Sequence, residues 1–156
     1  MKKSAGLLMF RRAPGGELQF LLAHPGGPFW RNKDDGAWTL PKGEYEEPED
    51  PLAAARREFA EEIGFEAQPP FAPLGEAVQK SGKRILAWAV AGDCDPLRLR
   101  SNAFEMEWPP RSGRQQSFPE VDRIGWFDLD TARRKIIPAQ AVLLDRLNAA
   151  VDAGTV

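Results

Sequence analysis

The stretch Gly43-Glu44-Tyr45-Glu46-Glu47-Pro48-Glu49-Asp50-Pro51-Leu52-Ala53-Ala54-Ala55-Arg56-Arg57-Glu58-Phe59-Ala60-Glu61-Glu62-Ile63-Gly64-Phe65 decides how this chain is read. Its second half carries the local signals of a helix. Asp50 suits the N-cap, Pro51 the first helical position and Gly64 the C-terminal cap. Leu52, Ala55, Phe59 and Ile63 fall on one face, so the spacing predicts an amphipathic helix over 51–63. At about 100° per residue, Glu58, Glu61 and Glu62 share an arc beside that apolar face. Glu58 lies three and four residues before the other two, where like charges cost roughly a few tenths of a kcal/mol per pair. Glu61 and Glu62 also occupy the last turn, where the helix dipole disfavours anions. A counter-charge is therefore expected, and grouped carboxylate oxygens suit Mg²⁺ or Mn²⁺. Taken alone, three glutamates at this spacing read first as a solvated acidic face.

The rest of the composition narrows the chemistry. A chain of 156 residues and 17.3 kDa is long enough for one domain, expected over residues 1–156. Its 21 Lys and Arg against 23 Asp and Glu give a net charge of −2, without the basic excess of a nucleic-acid binder. The charge is uneven: residues 43–62 hold eight acids and two bases, a balance of −6, leaving +4 on the remainder. One Cys (Cys94) and one His (His24) exclude a disulfide framework, Cys-cluster zinc sites and sites built on two imidazoles. Chemistry must come from carboxylates, Lys and Arg. No segment reaches the roughly 20 apolar residues of a membrane span. The opening MKKSAGLLMF has the flavour of a secretion signal, but Arg11 and Arg12 end its apolar run early, so a first β-strand is expected there. An unpaired Cys points to a reducing cytoplasm.

Along the chain, Ala5 to Phe10 and Leu18 to Ala23 read as a hairpin around the Pro14-Gly15-Gly16 turn. His24 to Gly36 reads as a loop and Trp38 to Leu40 as a short strand stopped by Pro41. Phe71 to Val78, Arg84 to Val90 and Arg123 to Phe127 are further strands. Ser101 to Pro119 reads as a long polar loop. Pro138 to Val151 reads as a final helix with Ala141, Leu144, Leu147 and Val151 inward. Strands on both sides of a central helix, with a terminal helix, predict an α/β/α sandwich around a mixed β-sheet.

The spacing of the opening stretch resembles the Nudix box, Gly-x5-Glu-x7-Arg-Glu-U-x-Glu-Glu-x-Gly-U, where U is bulky and apolar. Gly43, Glu49, Arg57, Glu58, Glu61, Glu62 and Gly64 match its seven fixed positions over 23 residues. Both U positions are Phe (Phe59 and Phe65), where aliphatic residues are commoner. Trp38-Thr39-Leu40-Pro41-Lys42-Gly43 is similar to the segment that leads into the box in that family. The resemblance implies a single Nudix domain that hydrolyses a P–O–P bond in a nucleoside diphosphate linked to another group.

The resemblance also implies roles. Glu58, Glu61 and Glu62 would be metal ligands, joined by the carbonyl of Gly43, for about two or three Mg²⁺ ions with substrate bound. Arg57 and Glu49 would support them as an ion pair. The general base would be Glu61 or Glu120, with Glu105 and Glu107 as lesser rivals. Lys42, Arg111 and Arg114 are candidates for substrate phosphates. Trp30, with Phe29 and Trp108 as alternatives, is a candidate for stacking on a base. His24 is expected to be structural, and Cys94 has no assigned chemistry. Ser4 to Arg12, followed by Leu18 to Ala23 and then Trp38 to Glu44, looks most like the diadenosine polyphosphate hydrolase branch. A nucleoside triphosphate pyrophosphatase comes second, and an ADP-ribose or nucleotide-sugar hydrolase third. A silent nucleotide-binding module is the non-enzymatic alternative. The expected partner is a small nucleotide, not a membrane or a nucleic-acid polymer.

Overall fold

The computed structural model describes residues 3–156. The apolar run expected near the N-terminus forms strand β1 (Lys3–Arg12), which a tight turn joins to antiparallel β2 (Leu18–Pro25). β1 is the middle of a six-stranded mixed sheet. It pairs in parallel with β5 (Arg84–Ala91), which pairs antiparallel with β4 (Phe71–Val78). On its other side the first half of β1 pairs with β3 (Lys42–Tyr45) and its end with β2, and β2 pairs antiparallel with β8 (Val121–Phe127).

β1 is buried from Ser4 to Phe10 because both faces of the sheet are covered. Ala5, Leu7 and Met9 face helix α1 (Pro51–Ile63), packing with Ala54, Ala55, Phe59 and Ile63. Leu8 and Phe10 point the other way. They meet Ala132 of α2 (Leu129–Lys135) and Leu143, Leu144 and Leu147 of α3 (Ala141–Asp152). The alternation along one strand thus builds two cores and the expected sandwich.

Several elements differ from the sequence reading. Trp38 and Thr39 make only single bridges, to Ile136 and Ala23; the strand at this point is the polar β3, just past Pro41. The segment 101–119 is largely a hairpin of β6 (Ala103–Glu107) and β7 (Gln115–Pro119), paired in a separate two-stranded sheet. Phe104 and Met106 alternate with Glu105 and Glu107 there, a period of two hidden by the surrounding polarity. Helix α2 escaped notice because seven residues are too few for a clear helical period, although Asp128 caps it by accepting the Thr131 N–H. The final helix begins as a 3-10 turn at Pro138–Gln140, and Leu143 joins Leu144 and Leu147 on its buried face, with Ala141 and Val151 partly buried against the same core.

Phe59 is fully buried between α1 and β1. Phe59→Ala is expected to lower unfolding free energy by about 3–5 kcal/mol in urea denaturation. A loss below about 1 kcal/mol would contradict this account of how α1 is anchored.

Candidate active site

Helix α1 is fixed at both ends by its own sequence. The Asp50 carboxylate accepts the Ala53 N–H at 3.0 Å. Gly64 takes φ +84° and returns its N–H to the Ala60 carbonyl at 2.9 Å. With Phe59 and Ile63 against the sheet, Glu58 and Glu62 are turned over β3. A Cβ on Gly43 would lie 2.0 Å from the Glu58 carboxyl carbon and 2.3 Å from both its oxygens. Glycine is therefore required at 43 by space, because the Glu58 carboxylate rests on the backbone there.

Arg57 ties the acids together. Its Nε and Nη2 donate to the two oxygens of Glu49 at 2.9 and 3.0 Å, a bidentate fork. Its Nη1 donates to Glu58 Oε1 at 3.0 Å and lies 3.5 Å from Glu61 Oε2. The fork holds the Glu49 carboxyl below its usual range and strengthens the Arg57 hold on its own proton.

Burial acts in the opposite sense on Glu58: desolvation raises its pKa despite Arg57, and the charges of Glu61 and Glu49 add to the rise. Glu62 is buried and pushed up to about 8, first by desolvation and then by the charges of Glu58 and Glu120. The Lys42 ammonium and backbone N–H oppose that shift. Lys42 is itself lowered by burial and by Lys83, while Glu62, Glu44 and Glu58 hold its proton. It stands among the carboxylates and serves as an internal counter-charge. Lys83, which the sequence did not single out, donates to Glu44 at 3.1 Å.

Glu120 lies at the bend between β7 and β8. Its carboxyl is raised by desolvation and by the charges of Glu58 and Glu61, which places it in the same electrostatic neighbourhood as the box. Its main chain is tied down on both sides. The N–H donates to the Asn102 carbonyl at 2.8 Å, and the carbonyl accepts the Gly26 N–H at 2.9 Å.

Other candidates stand apart. Arg111 and Arg114 sit at the tip of the β6–β7 hairpin, one strand of about 17 Å from Glu120. Glu107 organises that tip, accepting the N–H groups of Arg111 and Gly113 at 3.0 and 3.1 Å, so its carboxylate is engaged within the hairpin. Glu105 is exposed on β6, opposite Ser117. The Trp30 ring faces the Lys33 ammonium at 5.2 Å, while Phe29 meets Trp108 edge-on at 5.5 Å. His24 is fully buried, with Nδ1 2.8 Å from Asp122 and Nε2 2.6 Å from the Lys33 carbonyl. Burial pushes the Cys94 thiol up to about 11.

A divalent cation is tested by these contacts. Among the described residues, no three carboxylate, imidazole or thiol groups are closed around a common point. Arg57 takes up oxygens of Glu58 and Glu61 that a cation would otherwise draw in. The donor set fits a hard cation nonetheless. It consists of oxygens alone, and Glu58, Glu62 and Glu120 all bind protons more tightly than usual, first because they are partly or wholly desolvated and then because neighbouring acids repel their charge.

The comparisons with known proteins bear on the family and the fold. The NUDIX domain profile matches residues 2–147. No curated protein matches the sequence. Among solved structures, the chain is similar to a binary complex of the Caenorhabditis elegans Ap4A hydrolase, with a TM-score of 0.66 at 21% identity over 96% of this chain and 98% of that one. It is similar to the Escherichia coli ORF135 protein, with a TM-score of 0.61 at 23% identity over 98% and 92%. The NUDIX domain of Shewanella oneidensis NrtR, in complex with ADP ribose, gives 0.65 at 14% identity over 96% and 87%. At these identities the structures speak to the fold, and the profile to the family. The chain belongs to the Nudix family and is a hydrolase of pyrophosphate bonds.

Proposed function

We propose that one catalytic domain, working in the cytoplasm, hydrolyses a diadenosine polyphosphate or a close relative with divalent cations. The carboxylate crowd on α1, resting on Gly43 and braced by Arg57, carries the reading of the site. Glu58, Glu61 and Glu62, with the Gly43 carbonyl, would hold about two or three Mg²⁺ or Mn²⁺ ions. Such ions supply charge neutralisation on the pyrophosphate oxygens and activation of water.

The chain's own groups do the rest. Arg57 and Glu49 fix the orientation of Glu58 and Glu61. Glu120, or Glu61, accepts the proton of the attacking water. Lys42, held among Glu62, Glu44 and Glu58, would offer its ammonium to a substrate phosphate. Arg111 and Arg114, displayed on an ordered tip, meet the far end of a long anionic substrate, and Trp30 offers a face to a base. The likeness to the Ap4A hydrolase across nearly all of both chains supports this substrate class. A second reading, ADP-ribose, is favoured by the likeness to the NrtR domain that holds that molecule. A panel of diadenosine tetraphosphate, ADP-ribose, UDP-glucose and 8-oxo-dGTP separates them. The proposal expects the first to be cleaved fastest, and a tenfold advantage for any other probe overturns it.

Glu62→Gln is expected to cut kcat by at least about a hundredfold while the far-ultraviolet circular dichroism stays native, because relief of charge repulsion does not unfold α1. Full activity in that variant removes Glu62 from the metal site.

The Glu62 shift also sets a pH dependence. Its folded pKa of about 8 lies above the ordinary 4.5, so the metal-free fold binds the proton more tightly than the unfolded chain does. The stability this contributes is complete below pH 4.5 and is lost as the pH rises through about 8. Mg²⁺ competes with that proton, so its increase in Tm should be larger at pH 8.5 than at pH 6. An equal Mg²⁺ effect at both values contradicts the assignment.

A further inference from the structure

The bend that carries Glu120 is held by two residues outside the box, Ser101 and Gly26. The Ser101 hydroxyl accepts the Val121 N–H at 2.9 Å and donates to the Asn102 carbonyl at 3.2 Å. That carbonyl also accepts the Glu120 N–H at 2.8 Å. One dipeptide, Ser101–Asn102, thus fixes two successive amides, those of Glu120 and Val121. It is anchored to α1, because the Asn102 N–H donates to the Glu61 carbonyl at 2.9 Å and the Arg100 N–H to the Ile63 carbonyl at 3.0 Å. The strap therefore uses main-chain carbonyls at the end of α1 that helical bonding leaves open.

Gly26 closes the other side. Its N–H reaches the Glu120 carbonyl at 2.9 Å, and a Cβ there would stand 1.9 Å from the Pro119 carbonyl oxygen. Any side chain at 26 must push the Pro119–Glu120 segment away. The β2–β8 ladder shifts register at His24/Pro25, beside this point, so regular strand pairing does not fix the bend. The side chain of Ser101 and the bare backbone of Gly26 take over that task.

We infer that Ser101 and Gly26 are positioning residues that hold Glu120 in register with Glu61 on α1, and so set the rate of the hydrolysis without touching substrate. The inference rests on the reading of Glu120 as part of the reacting site. A carboxylate that takes a proton from water must stand within hydrogen-bond reach of it, and small displacements lower the rate steeply. Val121 is buried, so losing the hydroxyl leaves its N–H without that acceptor and lets the bend relax.

The experiment uses the full chain with Mg²⁺ and diadenosine tetraphosphate, ADP-ribose, UDP-glucose and 8-oxo-dGTP as probes, taking the one cleaved fastest. Ser101→Ala is expected to lower kcat about tenfold with KM within about twofold, and Ser101→Thr, which keeps the hydroxyl, to restore it. Gly26→Ala, acting from the opposite side, should give the same split, and it carries the test if Ser101→Ala does not fold. In a Glu120→Gln background, Ser101→Ala should have no further effect on kcat, because the group it positions is gone. Wild-type kcat in both positioning variants, or an undiminished Ser101→Ala effect in the Glu120→Gln background, overturns the inference. Wild-type kcat in Glu120→Gln itself instead removes Glu120 from the reaction, and the inference falls with that reading.

Discussion

The Glu58 carboxylate lies directly on the backbone of Gly43, and the rest of the site is arranged around that contact. It brings an anion from the last turns of α1 against β3, in a place that burial makes costly for charge. Arg57 answers from the same helix and Lys42 from the strand, and Glu49 aligns Arg57 by gripping its fork. Burial first, and the charges of neighbouring acids second, raise the proton affinity of Glu58, Glu62 and Glu120.

The scaffold explains why this crowding of acids is tolerated. α1 is capped by Asp50 and Gly64 and buried along Ala54, Ala55, Phe59 and Ile63, so packing outweighs the repulsion on its other edge. Each like-charge pair on a helix costs only a few tenths of a kcal/mol, roughly, against about 1.5–3 kcal/mol for a buried large apolar side chain. The glutamates are held in place by the caps and the buried face of α1.

Much of this was legible in the sequence, and the reasons it was not complete are specific. Asp50, Pro51 and Gly64 mark α1 to the residue because capping is local chemistry. The spacing from Gly43 to Gly64 resembles a known box because spacing along one strand and one helix translates directly into geometry. The β6–β7 hairpin stayed hidden because its period-two pattern is carried by few apolar residues on a mostly exposed ribbon. β3 stayed hidden because its residues are polar, and its pairing with β1 depends on the whole sheet. Ser101 and Gly26 gave no signal at all: a serine and a glycine in polar segments gain meaning only when the chain brings residues 26, 102 and 120 together.

The central claim is that the acids of α1, braced by Arg57, bind a divalent cation. Electron paramagnetic resonance of Mn²⁺ tests it most directly, without substrate and without turnover. The wild-type chain should remove the free Mn²⁺ signal in a saturable way, and Glu58→Gln and Glu62→Gln should each weaken that binding by about tenfold or more. Equal Mn²⁺ binding by the wild type and both variants, or none by any of them, would contradict the account.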